Sequence, residues 1–228
     1  MNYIIEGIYQ AFVLIITLNP EVVDITIRTL TITLGATLIA SVLCIPLGIY
    51  IAFNEFYGRK TLISVIQTLY ALPTVVVGLV MYMILSNNGP LGFLDLLFTS
   101  TGVMLGQVVL ILPIITGLTI SALSNLDSTI RDTIVSLGAT TGQFFTSMVL
   151  EARFAIMSAV IMGFSRAISE VGAAIMIGGN IKGHTRILTT AITLETNIGN
   201  FSLSVALGII LLLIALTVTM IVSRFQQS

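Results

Sequence analysis

Four stretches of this chain contain no charged residue: 29–54, 61–94, 96–126 and 196–223. Each is longer than the roughly 20 apolar residues that a helix needs to cross hydrocarbon. A fifth stretch, 154–179, is as apolar but carries Arg166 and Glu170. The pattern predicts five membrane-spanning helices, at about 29–53, 62–85, 103–124, 154–178 and 203–223. Strand-type alternation is absent, so a closed barrel, the other way to satisfy a backbone in lipid, is not supported. Residues 3–18 form a further apolar stretch that contains Glu6 and ends at Asn19-Pro20. It is short for a crossing and reads better as an interfacial helix leading into the first span.

Composition supports a membrane solvent. The 228 residues are 56% hydrophobic and 8% charged, against about 25% charged in soluble domains. The net charge of −1 gives no argument for a nucleic-acid partner. Cys44 is the single cysteine and lies in an apolar run, which excludes an intrachain disulfide and predicts a small buried apolar side chain. The first 20 residues lack a basic region and a small-residue cleavage site, so no cleaved signal is expected. With five spans, one face holds Arg59, Lys60, Arg131, Arg153 and Arg224, and the other Arg28, Lys182 and Arg186. The excess of cations marks the cytoplasmic side. It predicts a cytoplasmic C-terminus, an external N-terminus, and the 54–60 and 125–153 connections inside.

Several positions break the apolar monotony. Pro46, Pro73 and Pro113 fall within spans and predict kinks. Ala155, Ala159, Gly163 and Ala167 recur every fourth residue and predict close approach of another helix. Arg166 and Glu170 are one turn apart, some 18 Å into the fourth span. Charges at that depth face protein or water, as an ion pair or as pathway or gate elements together with Ser169. The connection 125–153 is apolar at helical spacing (Ile130, Ile134, Leu137), with breaks expected at Gly138 and Gly142. It reads either as a docking element for another protein or as a plain helical hairpin.

This connection resembles the cytoplasmic loop of the type I ABC importer permeases. Their loop runs Glu-Ala-Ala, three residues, Gly, nine residues, Ile, one residue, Leu-Pro. Gly138 takes the central glycine, Asp132-Thr133-Ile134 the Glu-Ala-Ala place, Met148 the Ile, and Leu150-Glu151 the Leu-Pro place. The spacing is kept while several letters differ. The run Phe164 to Ala173 (FSRAISEVGA) resembles the Ala-Arg-x-x-x-Glu-Phe-Gly-Ala stretch of molybdate and tungstate permeases. The segments Ile177–Arg186, Leu188–Ile192 and Leu194–Thr196 are most similar to the tungstate branch.

The resemblance implies an all-α integral membrane fold, with an N-terminal interfacial segment at 1–24 and a permease domain at 25–224. It also implies a homodimer in a prokaryotic plasma membrane, two cytoplasmic ABC ATPase subunits, and an extracytoplasmic solute-binding protein that delivers an oxyanion. Asp132, Leu137, Gly138 and Ala139 would lie in the ATPase-coupling element. Phe144 and Phe145 are added on physical grounds as apolar anchors in the same loop, because aromatic residues anchor interfaces. ATP and Mg would belong to the partner subunits, and this chain would be non-catalytic and hold no cofactor or metal.

Gly178 to Thr185 spaces its glycines and threonine like a phosphate-binding loop, but His184 stands where the lysine is needed and no strand precedes it. Lys182, His184 and Arg186 form a basic cluster on the predicted outer face, where an arriving oxyanion would be attracted. Molybdate or sulfate in place of tungstate, and an ion channel or proton-coupled carrier using Arg166 and Glu170 as relays, are the rival readings.

Overall fold

The structure is a computed structural model that describes residues 2–227, leaving aside the side chains of 2, 223 and 225–227. Among the described residues there are helices and no strand. Helix α1 (Asn2–Ile16) is followed by a tight turn in which Leu18 takes a positive φ. Asn19 then accepts hydrogen bonds from the backbone of Glu21 (3.0 Å) and Val22 (3.3 Å), and Pro20 occupies the first helical position. Both are helix-start signals. Helix α2 therefore begins at Pro20, well before the predicted 29, and runs unbroken to Phe53. Its 34 residues span about 51 Å at 1.5 Å per residue.

The predicted second span is two helices. Helix α3 (Arg59–Thr68) passes through a 3-10 turn at Leu69–Ala71, and α4 (Thr74–Leu85) leaves it at 100°. Pro73 has no N–H and forces Leu72 out of helical backbone, with ψ at 125°. What the sequence presented as one kinked crossing is thus a sharp break. Pro46 and Pro113 behave differently and lie inside helices that continue past them.

Helix α5 (Ser100–Ser124) is the most enclosed element and the axis of the bundle. Helices α6 (Ser128–Ser136) and α7 (Thr141–Glu151) form the 125–153 connection. Gly142 lies inside α7, so the break expected there occurs at Gly138 alone. Helix α8 (Arg153–Ile168) leaves α7 at 59° and stops at Ser169–Val171, where α9 (Gly172–Gly178) begins. The fourth predicted span is therefore also discontinuous. Helices α10 (Leu188–Asn197) and α11 (Phe201–Gln227) complete the chain.

Among the described residues three helices are long and apolar enough to cross a membrane: Pro20–Phe53, Ser100–Ser124 and Phe201–Val222. The number reaches five if α3 with α4, and α7 with α8, each make one bent span. Helix α1, at 15 residues, lies lengthwise on the first half of α11. Tyr3 stacks at 5.6 Å on Phe201, and Gly7 leaves room only for Val205.

The core forms where α2, α5 and α8 meet, through Ala36, Ala40, Cys44, Val108, Ile111, Ile115 and Ala167. Cys44 is buried there as expected. Three of the four small residues predicted to admit a neighbour are buried: Ala159, Gly163 and Ala167. A Cβ on Gly163 would stand 2.7 Å from Ile115. Ala155 is exposed instead.

Candidate functional site

The connection 125–153 owes its shape to its own caps. Asp127 accepts the backbone N–H of Thr129 at 2.9 Å and starts α6. Hydrogen bonds from Thr129 hold its carboxyl below the ordinary carboxylate range. At the other end Gly138 has φ +74°, its N–H bonds Val135 O, and Ala139 N–H bonds Ile134 O. This pair of bonds is a Schellman stop, which needs a left-handed residue and so favours glycine. Two residues on, Thr140 and Gln143 form a capping box that starts α7.

The tip between the two helices is bare. Asp132 and Gly138 are exposed and Ala139 is half-buried, while Val135 and Leu137 are 60% and 81% exposed. Phe144 and Phe145 do not share that outward face. They are half-buried, with rings 5.8 and 5.1 Å from Phe53 at the end of α2. They anchor the loop to this chain's own bundle, and Arg131 covers Phe144 at 5.9 Å.

A second group of polar residues sits at the α8–α9 break. Glu170 is 1% exposed. Its Oε1 accepts the Ala173 N–H at 2.8 Å, capping α9, and its Oε2 lies 3.3 Å from Arg166 Nη1. Its main-chain carbonyl accepts the Thr189 hydroxyl at 2.7 Å. Gln107 of α5 donates to Ala167 O at 3.1 Å, just before the break. The broken helices meet here, because Gly172 abuts Thr74 at the start of α4 and Gly78 abuts the Ala173 backbone.

Arg166 and Glu170 do pair, and their surroundings differ. Arg166 is 31% exposed and lies on a face of α8 shared with Ser158, Met162, Ser165 and Ser169. The Ser158 and Ser169 hydroxyls donate to carbonyls of their own helix, whereas a partly open guanidinium within a span calls for protein or water against it, since lipid offers no partner. Glu170 faces inward as the cap and counter-charge.

The basic cluster of Lys182, His184 and Arg186 is less free than its sequence suggested. Lys182 pairs with Glu21 at 2.8 Å, and Arg186 lies 3.9 Å from the same carboxylate oxygen. His184 is exposed, and its carbonyl accepts the Ser100 hydroxyl at 2.6 Å. The amides of His184, Thr185 and Arg186 all turn to Ile181 O, and the Thr185 hydroxyl bonds Gly178 O. These donors are used within the loop, so it makes no phosphate cradle. Among the described residues no group of three His, Cys, Asp or Glu side chains is placed to hold a metal.

The family model for the inner membrane component of binding-protein-dependent transport systems matches residues 44–228. The chain belongs to this family. It is 37% identical over 227 residues, the whole of both chains, to the tungstate uptake system permease protein TupB of Peptoclostridium acidaminophilum. It is 35% identical over 228 residues to TupB of Campylobacter jejuni, covering all of this chain and 95% of that one. It is 39% identical over 210 residues, 90% of each chain, to a probable anion ABC transporter permease protein of Haloferax volcanii. The sequence pattern indicated a helical protein with apolar spans, and the resemblance of its 125–153 connection indicated this permease family.

Two residues escaped the sequence reading. Phe53 sits at the end of a charge-free stretch, where an aromatic residue ordinarily marks the membrane interface. Arg28 counted only as a flanking cation, yet it bonds Asp24, Gly183 O and Arg186 O. Of these three partners only Asp24 is near it in sequence, and that four-residue spacing was the one available signal.

Proposed function

We propose that this chain is the membrane-spanning permease subunit of an ATP-driven importer of tungstate. The observation that carries this reading is the similarity, over essentially the full chain, to two tungstate uptake permeases. Two copies would face each other across the polar side of α8, with Ser165, Arg166 and Ser169 on the water-filled path between them. This arrangement would keep the hydroxyls and guanidinium out of lipid. An oxyanion passing Arg166 would meet a cation whose charge Glu170 offsets from behind, which favours passage over tight retention. Selection would then rest with an extracytoplasmic solute-binding protein.

The exposed tip of the α6–α7 connection, with Asp132, Val135, Leu137, Gly138 and Ala139, would fit a cleft on a cytoplasmic ATPase subunit. That partner would supply ATP, Mg and all catalysis. The connection and the C-terminus would lie in the cytoplasm. Deletion of the gene tests the reading, with labelled tungstate uptake and competition by molybdate and sulfate as readouts. Loss of high-affinity tungstate uptake, restored by the gene, is expected. Unchanged tungstate uptake, or stronger competition by sulfate than by tungstate itself, would overturn it.

A further inference from the structure

Helix α2 is held near both ends by side-chain contacts to other elements. At the connection end, Phe53 lies in an edge-to-face cluster with Phe144 and Phe145 of α7, whose own rings are 5.7 Å apart. The ends of α2, α5 and α7 share one apolar cluster through Ala52, Phe53, Leu123 and Val149. Such rings attract beyond their buried area and fix relative orientation. At the opposite end, Arg28 bonds Gly183 O at 2.8 Å and Arg186 O at 3.3 Å. At the next residue, the Thr29 hydroxyl accepts the Leu188 N–H at 2.9 Å. The loop so gripped joins the C-terminal end of α9, whose other end follows the break that carries Glu170, to α10. From Arg28 to Phe53 one helix continues past Pro46 without a break, so a single rod joins the two grips.

We infer that α2 transmits motion between the α6–α7 connection and the 179–187 loop, with Phe53 and Arg28 as its positioning residues. A displacement of α7 by a partner pulls Phe53, and the rod delivers it to the loop through Arg28. Phe144 and Phe145 thereby act on this chain, while the Val135–Leu137 tip acts on the partner. The inference rests on the permease reading and adds which element carries the stroke.

The test uses the complete transporter in proteoliposomes with tungstate-loaded binding protein. ATP hydrolysis is measured with and without that protein, and tungstate uptake in parallel. Phe53→Ala is expected to keep basal hydrolysis within about twofold while stimulation and uptake fall at least about fivefold. Phe53→Tyr, which keeps the ring, restores both, and Arg28→Gln at the far end repeats the loss. If Phe53→Ala does not assemble with the ATPase, Phe53→Met keeps the apolar volume without a ring and is judged by the same criteria. Wild-type stimulation in the Phe53 variant, or in Arg28→Gln, would overturn the transmission. Absence of ATP-driven uptake in the wild-type complex would instead overturn the permease reading.

Discussion

The Arg166–Glu170 pair makes a sharp and asymmetric prediction. The two side chains are 31% and 1% exposed and lie 3.3 Å apart. Removing one partner of a buried pair costs about 3–5 kcal/mol, because the other charge is left uncompensated. Arg166→Ala strands the fully enclosed carboxylate with a single N–H, from Ala173, and should cost the full amount. Glu170→Ala leaves a guanidinium that can lean toward its open side, so its loss is mainly the α9 cap, about 1–2 kcal/mol. Glu170→Gln keeps an acceptor for Ala173 and should be the mildest of the three. The double change Arg166→Ala with Glu170→Ala removes the stranded charge and should be more stable than Arg166→Ala alone. For a chain of this size, 3–5 kcal/mol corresponds to about 6–20 °C in melting temperature. Thermal aggregation of the detergent-purified protein, read by size-exclusion chromatography after heating, resolves that range. A double variant less stable than Arg166→Ala would refute the argument, since it would mean Glu170 is not a charge held in place by Arg166.

Further changes test separate parts of the fold. Gly138→Ala meets open space but a φ of +74°, so strain alone should cost about 1–2 kcal/mol; Asn there should be milder, and proteolysis of the connection compares them. Gly78→Ala places a Cβ 2.8 Å from the Ala173 backbone and should cost about 1–3 kcal/mol, whereas Gly142→Ala, with nothing within 4 Å, should leave melting unchanged or raise it. Lys182→Ala breaks an exposed pair with Glu21 and should change stability by less than about 1 kcal/mol, with uptake and its salt dependence held within twofold. The lowered pKa of Asp127 means its cap stabilises α6 at neutral pH, fully so above the unfolded carboxylate value. That contribution is lost as pH falls through the depressed folded value; Asp127→Asn should remove the acid dependence of proteolysis in the connection.

The helices were legible because lipid imposes a coarse rule: charge-free stretches of sufficient length recur where α2, α5 and α11 lie. The breaks were harder to read. Pro46, Pro73 and Pro113 look alike in sequence, yet only Pro73 interrupts its helix, following a 3-10 turn at Leu69–Ala71. At Ser169–Val171 there is no proline, and the adjoining glycine, Gly172, already begins the next helix. The stop is supported by bonds from elsewhere: the Thr189 hydroxyl to Glu170 O and the Gln107 amide to Ala167 O, across 19 and 60 residues. Spacing could suggest that Arg166 and Glu170 meet, as they do, but could not reveal that Glu170 turns inward to cap α9. Likewise the count Lys182, His184, Arg186 ignored Glu21, which lies far away in sequence and neutralises part of the cluster.

The two aromatic residues of the connection show how local pattern and tertiary setting divide the information. Phe144 and Phe145 at the start of an amphipathic helix are compatible with facing a partner or facing inward. The choice is made by Phe53, which α2 brings to the same end of the bundle after 34 helical residues. With the rings turned inward, the large apolar side chains left bare at the tip are Val135 and Leu137, beside the turn at Gly138. That is a small tip for a partner to push on, and a push there moves the bundle only if the loop is stiffly tied to it. The caps at Asp127, Gly138 and Thr140 stiffen the loop, and the three rings tie it down. Loosening either one, by Gly138→Ala or by Phe53→Ala, should therefore weaken the same output through different parts. Because both act in series on one path, the double variant should lose little more uptake than the worse single variant, and fully additive losses would mean that the tip and the ring cluster act independently.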